Sequence, residues 1–342
     1  MKGPLGVGII GVGWQGGGHL RNLKALPQAR VVALCDIDEA RLKEQAEAFQ
    51  VPHRFTDYHD LLACEEVEAV IIALPDHLHR EPAVAALEAG KHVLLEKPMA
   101  LSEADAEAIY EAAQRAPGRF MLNLSNRWMP AFAAAKQRLE SGEVGEVRYI
   151  FARIANRIEV PTQRLPWLQR SHLAHWIGIH RLDIARWYIG REVVRVRAVE
   201  RRGVLAQQGF DGADFFQATL EFEGGAVMSL EANWILPPSY PTLVDSRFWC
   251  LCERGVIDID RSRSELAIAG PQAFDLATPL AGEALGQPYG FTLEALRHFV
   301  DCCLSGREPL VGAADGLALT RILCAIVRSC ANDGEVVELG PS

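Results

Sequence analysis

A lysine and a glutamate stand directly after a short apolar run. Residues 93–95 predict a buried strand, which ends at Glu96, Lys97 and Pro98 because the proline removes a backbone donor. In open α/β sheets, ligands bind at the carboxyl ends of the strands. A partly desolvated ammonium group at such a place can exchange a proton near neutral pH. Lys97 is therefore a candidate acid–base residue, and a solvated surface pair is the alternative.

A second set of side chains shares one face of a predicted helix. Trp176 and His180 are four residues apart, and Asp183 follows His180 by three. His175 falls on a different face, and we expect it to be structural. The ordinary alternative for His180 is a histidine whose hydrogen bonds are satisfied within the core.

Three glycines near the start of the chain have the spacing of a phosphate-binding turn. Gly11, Gly13 and Gly16 follow a predicted strand, Leu5–Ile10, and open a predicted helix, and Asp36 comes 20 residues after Gly16. This context is the dinucleotide fingerprint. The first glycine permits the tight turn, the second lets the backbone approach a pyrophosphate, and the third lets the helix pack on the strand. The pattern predicts a dinucleotide cofactor, and a glycine-rich turn without a ligand is the alternative.

The acid at the end of the second strand also predicts which dinucleotide binds. The carboxylate of Asp36 would accept hydrogen bonds from ribose hydroxyls and would repel a 2′-phosphate. The next residue, Ile37, supplies no cation to neutralise that phosphate. We therefore expect NAD in preference to NADP.

The order of the predicted elements indicates the fold class. In the first 124 residues, apolar strands such as 67–74 alternate with helical patterns, which favours a doubly wound parallel sheet. Several later strands follow one another without intervening helices, which favours an antiparallel or mixed sheet. We predict an α/β protein with an N-terminal Rossmann domain, residues 1–124, and a C-terminal α+β domain with an open, mostly antiparallel sheet, residues 125–342.

Length and composition exclude several classes of protein. The chain has 342 residues, 49% of them hydrophobic. This length exceeds the usual size of a single hydrophobic core, so two domains are expected. Its net charge of −9 offers no basic field for nucleic acid or anionic lipid, and no run approaches the ~20 apolar residues of a membrane span. The apolar start at 5–12 is broken by glycines and lacks a cleavage-type tail, which favours a strand over a signal peptide. We expect a cytoplasmic protein without nucleic-acid or membrane partners.

The eight cysteines form no Cys-x-x-Cys array. Cys250 and Cys252 have the spacing of side chains on one face of a strand. We therefore expect free or core thiols, with no metal site and no disulfide.

Several motifs together resemble the family of glucose-fructose oxidoreductase, inositol dehydrogenase and MocA (Gfo/Idh/MocA). The resemblance covers nearly the whole chain, and the Glu-Lys-Pro sequence after a strand is its most specific part. The matching segments are 11–16 with Asp36, 74–79, 89–98, 126–130 and 142–147.

This resemblance implies an NAD-dependent oxidoreductase. Such an enzyme moves a hydride between nicotinamide and a secondary alcohol or ketone carbon of a sugar, an inositol or a related cyclic compound. In the family, the lysine approaches the nicotinamide and the substrate, and its bond to the following proline is commonly cis. The histidine of a His-x-x-Asp motif acts there as an acid, a base or a hydroxyl ligand. Lys97 and His180 match these positions and are the expected catalytic residues.

The remaining expected site residues follow from the motifs and the resemblance. Substrate binding is expected of Lys97, Arg127, Trp176, His180 and Asp183. Cofactor binding is expected of Gly11, Gly13, Trp14, Gln15, Gly16, Asp36, Pro75, His79, Glu96, Lys97 and Pro98. In the family, the free face of the second-domain sheet pairs with another subunit, which implies a homodimer or a homotetramer.

The chain departs from the family pattern at Trp176, where many of the dehydrogenases carry aspartate. An indole offers one donor and a broad apolar face, so it cannot serve the same ligand equally well as a carboxylate. Two alternatives to a dehydrogenase stay open. One is an enzyme that uses retained NAD as a transient oxidant in glycoside cleavage, and the other is a non-catalytic NAD-binding sensor.

Overall fold

The computed structural model describes residues 3–261, 266–269, 274–277, 281–284 and 286–340. The chain forms two compact units, each built from two stretches of sequence. The first unit contains Met1–Trp128 and Ala281–Leu317, and the second contains Met129–Leu280 and Ala318–Ser342. The domain assignment 1–124 and 125–342 stays a prediction.

The strands are numbered in chain order. They are β1 (Leu5–Ile10), β2 (Ala29–Cys35), β3 (His53–Phe55), β4 (Ala69–Ile72), β5 (His92–Leu95), β6 (Phe120–Leu122), β7 (Val147–Arg157), β8 (Val193–Arg201), β9 (Phe215–Phe222), β10 (Val227–Leu236), β11 (Val244–Cys252), β12 (Val256–Asp260), β13 (Leu266–Ala269), β14 (Phe274–Ala277), β15 (Ala281–Ala284), β16 (Gln287–Gly290) and β17 (Val337–Glu338).

The α-helices are α1 (Trp14–Leu23), α2 (Glu39–Phe49), α3 (Tyr58–Ala63), α4 (Arg80–Glu88), α5 (Glu103–Arg115), α6 (Pro130–Glu140), α7 (Ile179–Ile189), α8 (Phe291–Ser305) and α9 (Ala313–Ala331). Short 3₁₀ turns occupy Asp76–Leu78, Ser125–Trp128, Pro166–Arg170 and Ala206–Gln208. Turns of π-helix occupy Val160–Arg164 and Ala174–Gly178.

The first unit contains a six-stranded sheet in the order β3-β2-β1-β4-β5-β6. Every neighbouring pair is parallel, which confirms the predicted doubly wound sheet. The chain order reverses between β1 and β4, and in open α/β sheets ligands bind at such a reversal, beyond the carboxyl ends of the strands. The turn after β1 lies at this point.

The sequence of the first unit explains its elements. All residues of β1 and β4 are buried, as expected for strands covered by helices on both faces. Helices α2, α3 and α5 begin after Asp38, Asp57 and Ser102, whose side-chain oxygens each accept a hydrogen bond from a backbone N–H of the first turn.

Helix α8 supplies part of the first unit's core. Its residues Leu293, Leu296 and Phe299 are buried in the same apolar cluster as Ile9 of β1 and Leu20 of α1. The side chain of Asn22 in α1 also lies 3.4 Å from the hydroxyl of Thr292. A segment almost 170 residues beyond β6 therefore completes the core around the parallel sheet.

The second unit contains a seven-stranded sheet in the order β12-β11-β7-β10-β9-β8-β17. Strands β7 and β10 are parallel, and the other neighbours are antiparallel, which confirms the predicted mostly antiparallel sheet. Buried and partly buried residues alternate strictly along β9, so one face of the sheet is packed more tightly than the other.

One expected helix of the second unit differs in its hydrogen bonding. Trp176, His180 and Asp183 lie on one continuous helical segment, as expected, but Ala174–Gly178 is a π-turn and the regular α-helix begins only at Ile179. A π-turn has hydrogen bonds between residues five apart, so the spacing of Trp176 and His180 departs from that of a regular α-helix. At the end of this turn, a Cβ atom on Gly178 would lie 3.0 Å from Cζ of Phe216, so the backbone packs closely on β9.

Three further observations concern the described part of the chain. It contains no helix with the length and apolarity needed to cross a membrane. All eight cysteines lie within it and are free thiols. It also holds no group of three His, Cys, Asp or Glu residues placed to bind a metal ion.

Candidate cofactor and catalytic sites

The glycine turn after β1 is shaped by close backbone packing. Gly11 has φ +87°, and a Cβ atom there would lie 2.5 Å from the carbonyl oxygen of Ala73. A Cβ atom on Gly16 would lie 1.9 Å from the carbonyl oxygen of Gly11. Both positions therefore require glycine, because a methyl group would overlap main-chain atoms.

Gly13, unlike Gly11 and Gly16, has open space where a Cβ atom would lie. A Cβ atom there would have its nearest neighbour 4.0 Å away, at Nη1 of Arg41. Helix α1 begins at the next residue, Trp14, and Gly13 gives it no side-chain cap. The uncapped N–H groups and the open space beside Gly13 fit the diphosphate of a dinucleotide, which helix amino termini bind through backbone donors.

Asp36 joins the glycine turn to the end of β2. Its Oδ2 atom accepts a hydrogen bond from the backbone N–H of Val12 at 2.9 Å, and its Oδ1 atom accepts one from Asp38 at 3.0 Å. The side chain is only 8% exposed. These bonds hold the carboxylate beside the turn, where the dinucleotide fold uses an acid to bind the adenosine ribose.

A cation that was not expected from the sequence, Arg41, lies beside this carboxylate. Ile37 supplies no charge, as expected, and is 91% exposed. In contrast, Nη1 of Arg41 lies 3.6 Å from Oδ2 of Asp36, and its Nη2 lies 2.9 Å from Oδ2 of Asp38. The signal was present in the sequence, because a residue three positions after a helix N-cap lies one turn into the helix and faces back to that cap.

Lys97 follows β5 at the carboxyl edge of the parallel sheet and is 6% exposed. Burial lowers the pKa of its ammonium group to about 8, although the carboxylates of Asp76 and Glu96 act in the opposite direction. The Lys97–Pro98 peptide bond is cis. A lysine with this pKa can both accept and donate a proton near neutral pH.

Glu96 is held by three hydrogen bonds within the first unit. Its Oε1 atom lies 2.8 Å from Nε2 of His19 and accepts a bond from Nδ2 of Asn123 at 2.8 Å. The backbone N–H of Lys97 donates to Oε2 at 3.3 Å. Burial would raise the pKa of Glu96, but the bonds from His19 and Asn123 and the charge of Lys97 lower it overall. Glu96 is therefore a carboxylate that fixes the main chain at Lys97.

Neither His19 nor Asn123 belongs to a sequence pattern that marks it as a site residue. His19 lies three residues after Gly16, on the turn of α1 above the glycine loop. Asn123 directly follows β6, and its backbone N–H donates to the carbonyl of Leu95. A polar residue at the end of a neighbouring strand was the available signal, but the pairing of β5 with β6 was needed to interpret it.

Two other expected site residues, His79 and Arg127, interact with other groups of the protein. His79 is 1% exposed, with Nδ1 2.8 Å from the carbonyl oxygen of Pro98 and Nε2 2.9 Å from that of Leu74. It links the segments that follow β4 and β5.

The guanidinium of Arg127 donates to the carbonyl of Leu310 at 3.0 Å and forms an ion pair with Asp315 at 3.2 Å. Cofactor and substrate contacts of these residues stay predictions.

In the second unit, an aromatic pair includes Trp176, which lies four residues before the candidate histidine. The rings of Trp167 and Trp176 are 5.4 Å apart and nearly perpendicular. Trp176 belongs to the π-turn, and His180 is the second residue of α7. Asp183, on the next turn of α7, is fully buried. Trp167 was not expected at this place, because it belongs to a separate 3₁₀ turn.

Two side chains near His180 in sequence, His175 and Arg181, are buried. Burial lowers the pKa of His175 to about 3, with a smaller contribution from His172, so its ring is neutral at physiological pH. Burial also lowers the pKa of Arg181 to about 9, and its guanidinium lies 4.8 Å from the ring of Phe132. Both pack inside the second unit, whereas His180 is only partly buried.

Comparison with known proteins defines the class to which these sites belong. Residues 5–124 match the model of an oxidoreductase family with an NAD-binding Rossmann fold, and residues 132–258 match the GFO/IDH/MocA C-terminal domain. The chain therefore belongs to the GFO/IDH/MocA family of oxidoreductases, and its first unit carries an NAD-binding Rossmann fold. This confirms the resemblance, the fold class and the NAD cofactor expected from the sequence.

Two individual relatives are similar to this chain over part of its length. Inositol 2-dehydrogenase 2 of Saccharopolyspora erythraea is 34% identical over 231 residues, which cover 66% of this chain and 66% of that protein. Inositol 2-dehydrogenase of Salmonella typhimurium is 32% identical over 196 residues, which cover 56% of this chain and 57% of that protein. The aligned segments thus span about three fifths to two thirds of the length of these relatives.

A solved structure matches over nearly the whole length. The crystal structure of aldose-aldose oxidoreductase from Caulobacter crescentus, complexed with glycerol, superposes with a TM-score of 0.80. It is 28% identical to this chain, and the match covers 98% of this chain and 100% of that one. The two chains therefore share a fold.

Proposed function

We propose that the protein is an NAD-dependent dehydrogenase or reductase acting on CH–OH groups. It transfers a hydride between nicotinamide and a secondary alcohol or ketone carbon of a sugar, an inositol or a related cyclic compound. The observation that carries this proposal is Lys97, a buried lysine whose pKa is about 8, at the carboxyl edge of the sheet that also carries the glycine turn. Bound NAD supplies the hydride acceptor, so the protein must orient the carbon and move one proton.

Each of the chain's own groups has one task in this reaction. Lys97 takes the proton of the substrate hydroxyl during oxidation and returns it to the oxygen during reduction. Glu96, bonded to His19 and Asn123, holds the main chain of Lys97 in place. His180 shares or relays the proton, and Asp183 or a backbone group orients its ring.

The substrate class is supported by the named relatives and by the aromatic pair. The relatives are inositol 2-dehydrogenases, and the matched crystal structure is of an aldose-aldose oxidoreductase. Trp167 and Trp176 are each only partly buried, and the apolar face of an indole suits the less polar face of a ring or of an aglycone. We therefore expect a cyclic substrate with one such face, and we expect free inositol to be a poor substrate.

A substrate panel tests the proposal. The purified chain is incubated with NAD and inositols, aldoses and aryl glycosides, and formation of NADH is followed by absorbance. Lys97→Met should lower kcat by roughly 10² to 10⁴ while NAD affinity changes by no more than a few-fold. Lys91→Met is the matched control, because Lys91 precedes the same strand and its Nζ donates to the carbonyl of Val67. Equal activity of Lys97→Met and wild type would contradict the proposal.

The same panel separates the proposal from the two other activities. Release of a leaving group without net NADH would indicate glycoside cleavage. NAD binding without turnover or exchange of label into any polyol or keto-sugar would indicate a sensor.

We also propose a cytoplasmic homo-oligomer, a dimer or a tetramer, without nucleic-acid partners. On the less buried face of the second-unit sheet, Phe151 pairs with Trp249 and Leu251 is exposed, which supports self-association, since an apolar sheet face favours a partner. Eight free thiols favour a reducing compartment, and the net charge of −9 disfavours nucleic acid. Light scattering at micromolar concentration tests the assembly, and a monomer of 37.6 kDa would contradict it.

A further inference from the structure

Three charged side chains meet where β2 ends and α2 begins. Asp36 is buried and receives two backbone hydrogen bonds, from Val12 and Asp38. Arg41 lies 3.6 Å from Asp36 and 2.9 Å from Asp38 through its two Nη atoms. The guanidinium of Arg41 is also the nearest group to the open space beside Gly13, at 4.0 Å from a Cβ atom built there. Arg41 thus reaches both the ribose-binding acid and the phosphate turn.

The charges of this group bear on the choice between NAD and NADP. An acid in the position of Asp36 binds the adenosine ribose, so a 2′-phosphate on that ribose has to lie near Asp36. Arginine is the residue that accommodates this phosphate in dinucleotide-binding folds. Here the arginine is within reach, but two carboxylates compete for it, and the three side chains together carry one net negative charge.

We propose that Asp38 is a specificity-determining residue for the cofactor, because it engages Arg41 and keeps it from a 2′-phosphate. Without the charge of Asp38, Arg41 can pair with that phosphate, and NADP binds more tightly even though Asp36 still repels it. The inference rests on NAD binding by the first unit and not on the catalytic roles of Lys97 or His180. The sequence predicted rejection of NADP from Asp36 and Ile37 alone, whereas this proposal adds Asp38 and Arg41.

Asp38 has a second task, and the two can be separated by substitution. Its Oδ1 atom accepts a hydrogen bond from the backbone N–H of Arg41 and caps α2, while Oδ2 faces the guanidinium. Asparagine caps helices about as well as aspartate but carries no charge. Asp38→Asn therefore releases the guanidinium while the helix start is retained. The ion pair is partly exposed, so its loss alone has a small effect on stability.

The test measures dissociation constants for NAD and NADP by calorimetry on the full-length chain. Asp38→Asn should lower the Kd for NADP by roughly tenfold, as expected for a new hydrogen bond to a charged group, and change the Kd for NAD by less than about threefold. The double variant Asp38→Asn/Arg41→Ala should lose this gain, because the gain depends on the guanidinium. Lys43→Ala is the control, since Lys43 lies on the same helix and pairs with Glu47.

The outcomes distinguish this inference from the proposed function. An unchanged ratio of the two constants in Asp38→Asn overturns the inference, and so does a gain that persists in the double variant. Equal melting temperatures of variants and wild type would exclude unfolding as the cause of either result. If the wild type binds neither dinucleotide, the cofactor site itself is wrong, whereas normal NAD binding without turnover contradicts only the proposed catalytic activity.

Discussion

His19 Nε2 lies 2.8 Å from Glu96 Oε1 and connects helix α1 to the end of strand β5. Since a carboxylate oxygen only accepts, Nε2 of His19 donates this bond. The contact joins the helix that opens at the glycine turn to the residue before the candidate catalytic lysine. It therefore couples the geometry of the cofactor site to that of Lys97.

Loss of this bond should affect turnover more than cofactor binding. His19→Phe leaves the buried carboxylate of Glu96 with one donor fewer, so kcat should fall by roughly tenfold or more. The Kd for NAD should change by less than about threefold, because His19 acts through Glu96. His53→Gln is the control, because His53 forms a pair of the same 2.8 Å length with Glu66 at the protein surface. Equal effects of both variants would contradict a positioning role for His19.

The pH dependence of the rate should reflect Lys97. Its pKa is about 8, and only the neutral amine can take a proton from the substrate. The rate of alcohol oxidation should therefore rise as pH increases through about 8 and then level off. The rate of ketone reduction requires the protonated lysine and should fall over the same range. Profiles of kcat/KM in both directions measure this, and a flat oxidation profile between about pH 6 and about pH 10 would argue against Lys97 as the base.

The aromatic pair and the histidine should have different kinetic effects. His180→Ala should lower kcat, because a proton-transfer group acts in the transition state. Trp176→Phe should mainly raise KM, because stacking is present in both the ground and the transition state. Trp187→Phe is a suitable control, because its ring lies near Lys136 toward the far end of α7. If His180→Ala and Trp176→Phe both retain full activity, the segment that carries these residues has only a structural role.

Two adjacent glycines of α1 should respond differently to alanine. In Gly16→Ala the new methyl group would lie 1.9 Å from a main-chain oxygen, so stability should fall by at least about 2 kcal/mol and NAD binding should weaken. In Gly17→Ala the nearest atom would be 3.7 Å away, and alanine is the better helix former, so stability should be unchanged or higher. Urea denaturation with and without NAD measures both. A stable Gly16→Ala variant would mean that the turn can shift.

The sequence predicted most of the first unit because its signals are local. Continuous apolar runs indicate strands buried on both faces, and a glycine turn between strand and helix indicates a dinucleotide site. Lys97 could be predicted as a candidate because its strand ends at a proline. The same local rules gave the NAD cofactor from Asp36.

The supporting residues could not be found in this way, because they come together only through tertiary contacts. Asn123 reaches Glu96 because β6 pairs with β5, a partnership that no local pattern specifies. Trp167 meets Trp176 across separate turns, and the π-turn replaced the regular helix that periodicity predicts. Arg41 was missed because only the residue next to Asp36 was considered as a counter-charge.

The return of α8 to the first unit has a consequence for protein synthesis. The ribosome completes β6 long before it reaches Phe299, which lies in the core with Ile9. At typical elongation rates the interval is roughly 10 to 35 s. During that time the nascent parallel sheet lacks the side chains that α8 contributes, and its apolar residues are available to chaperones. A fragment that ends after β6 would have the same incomplete core, so we expect it to unfold more easily than the complete first unit.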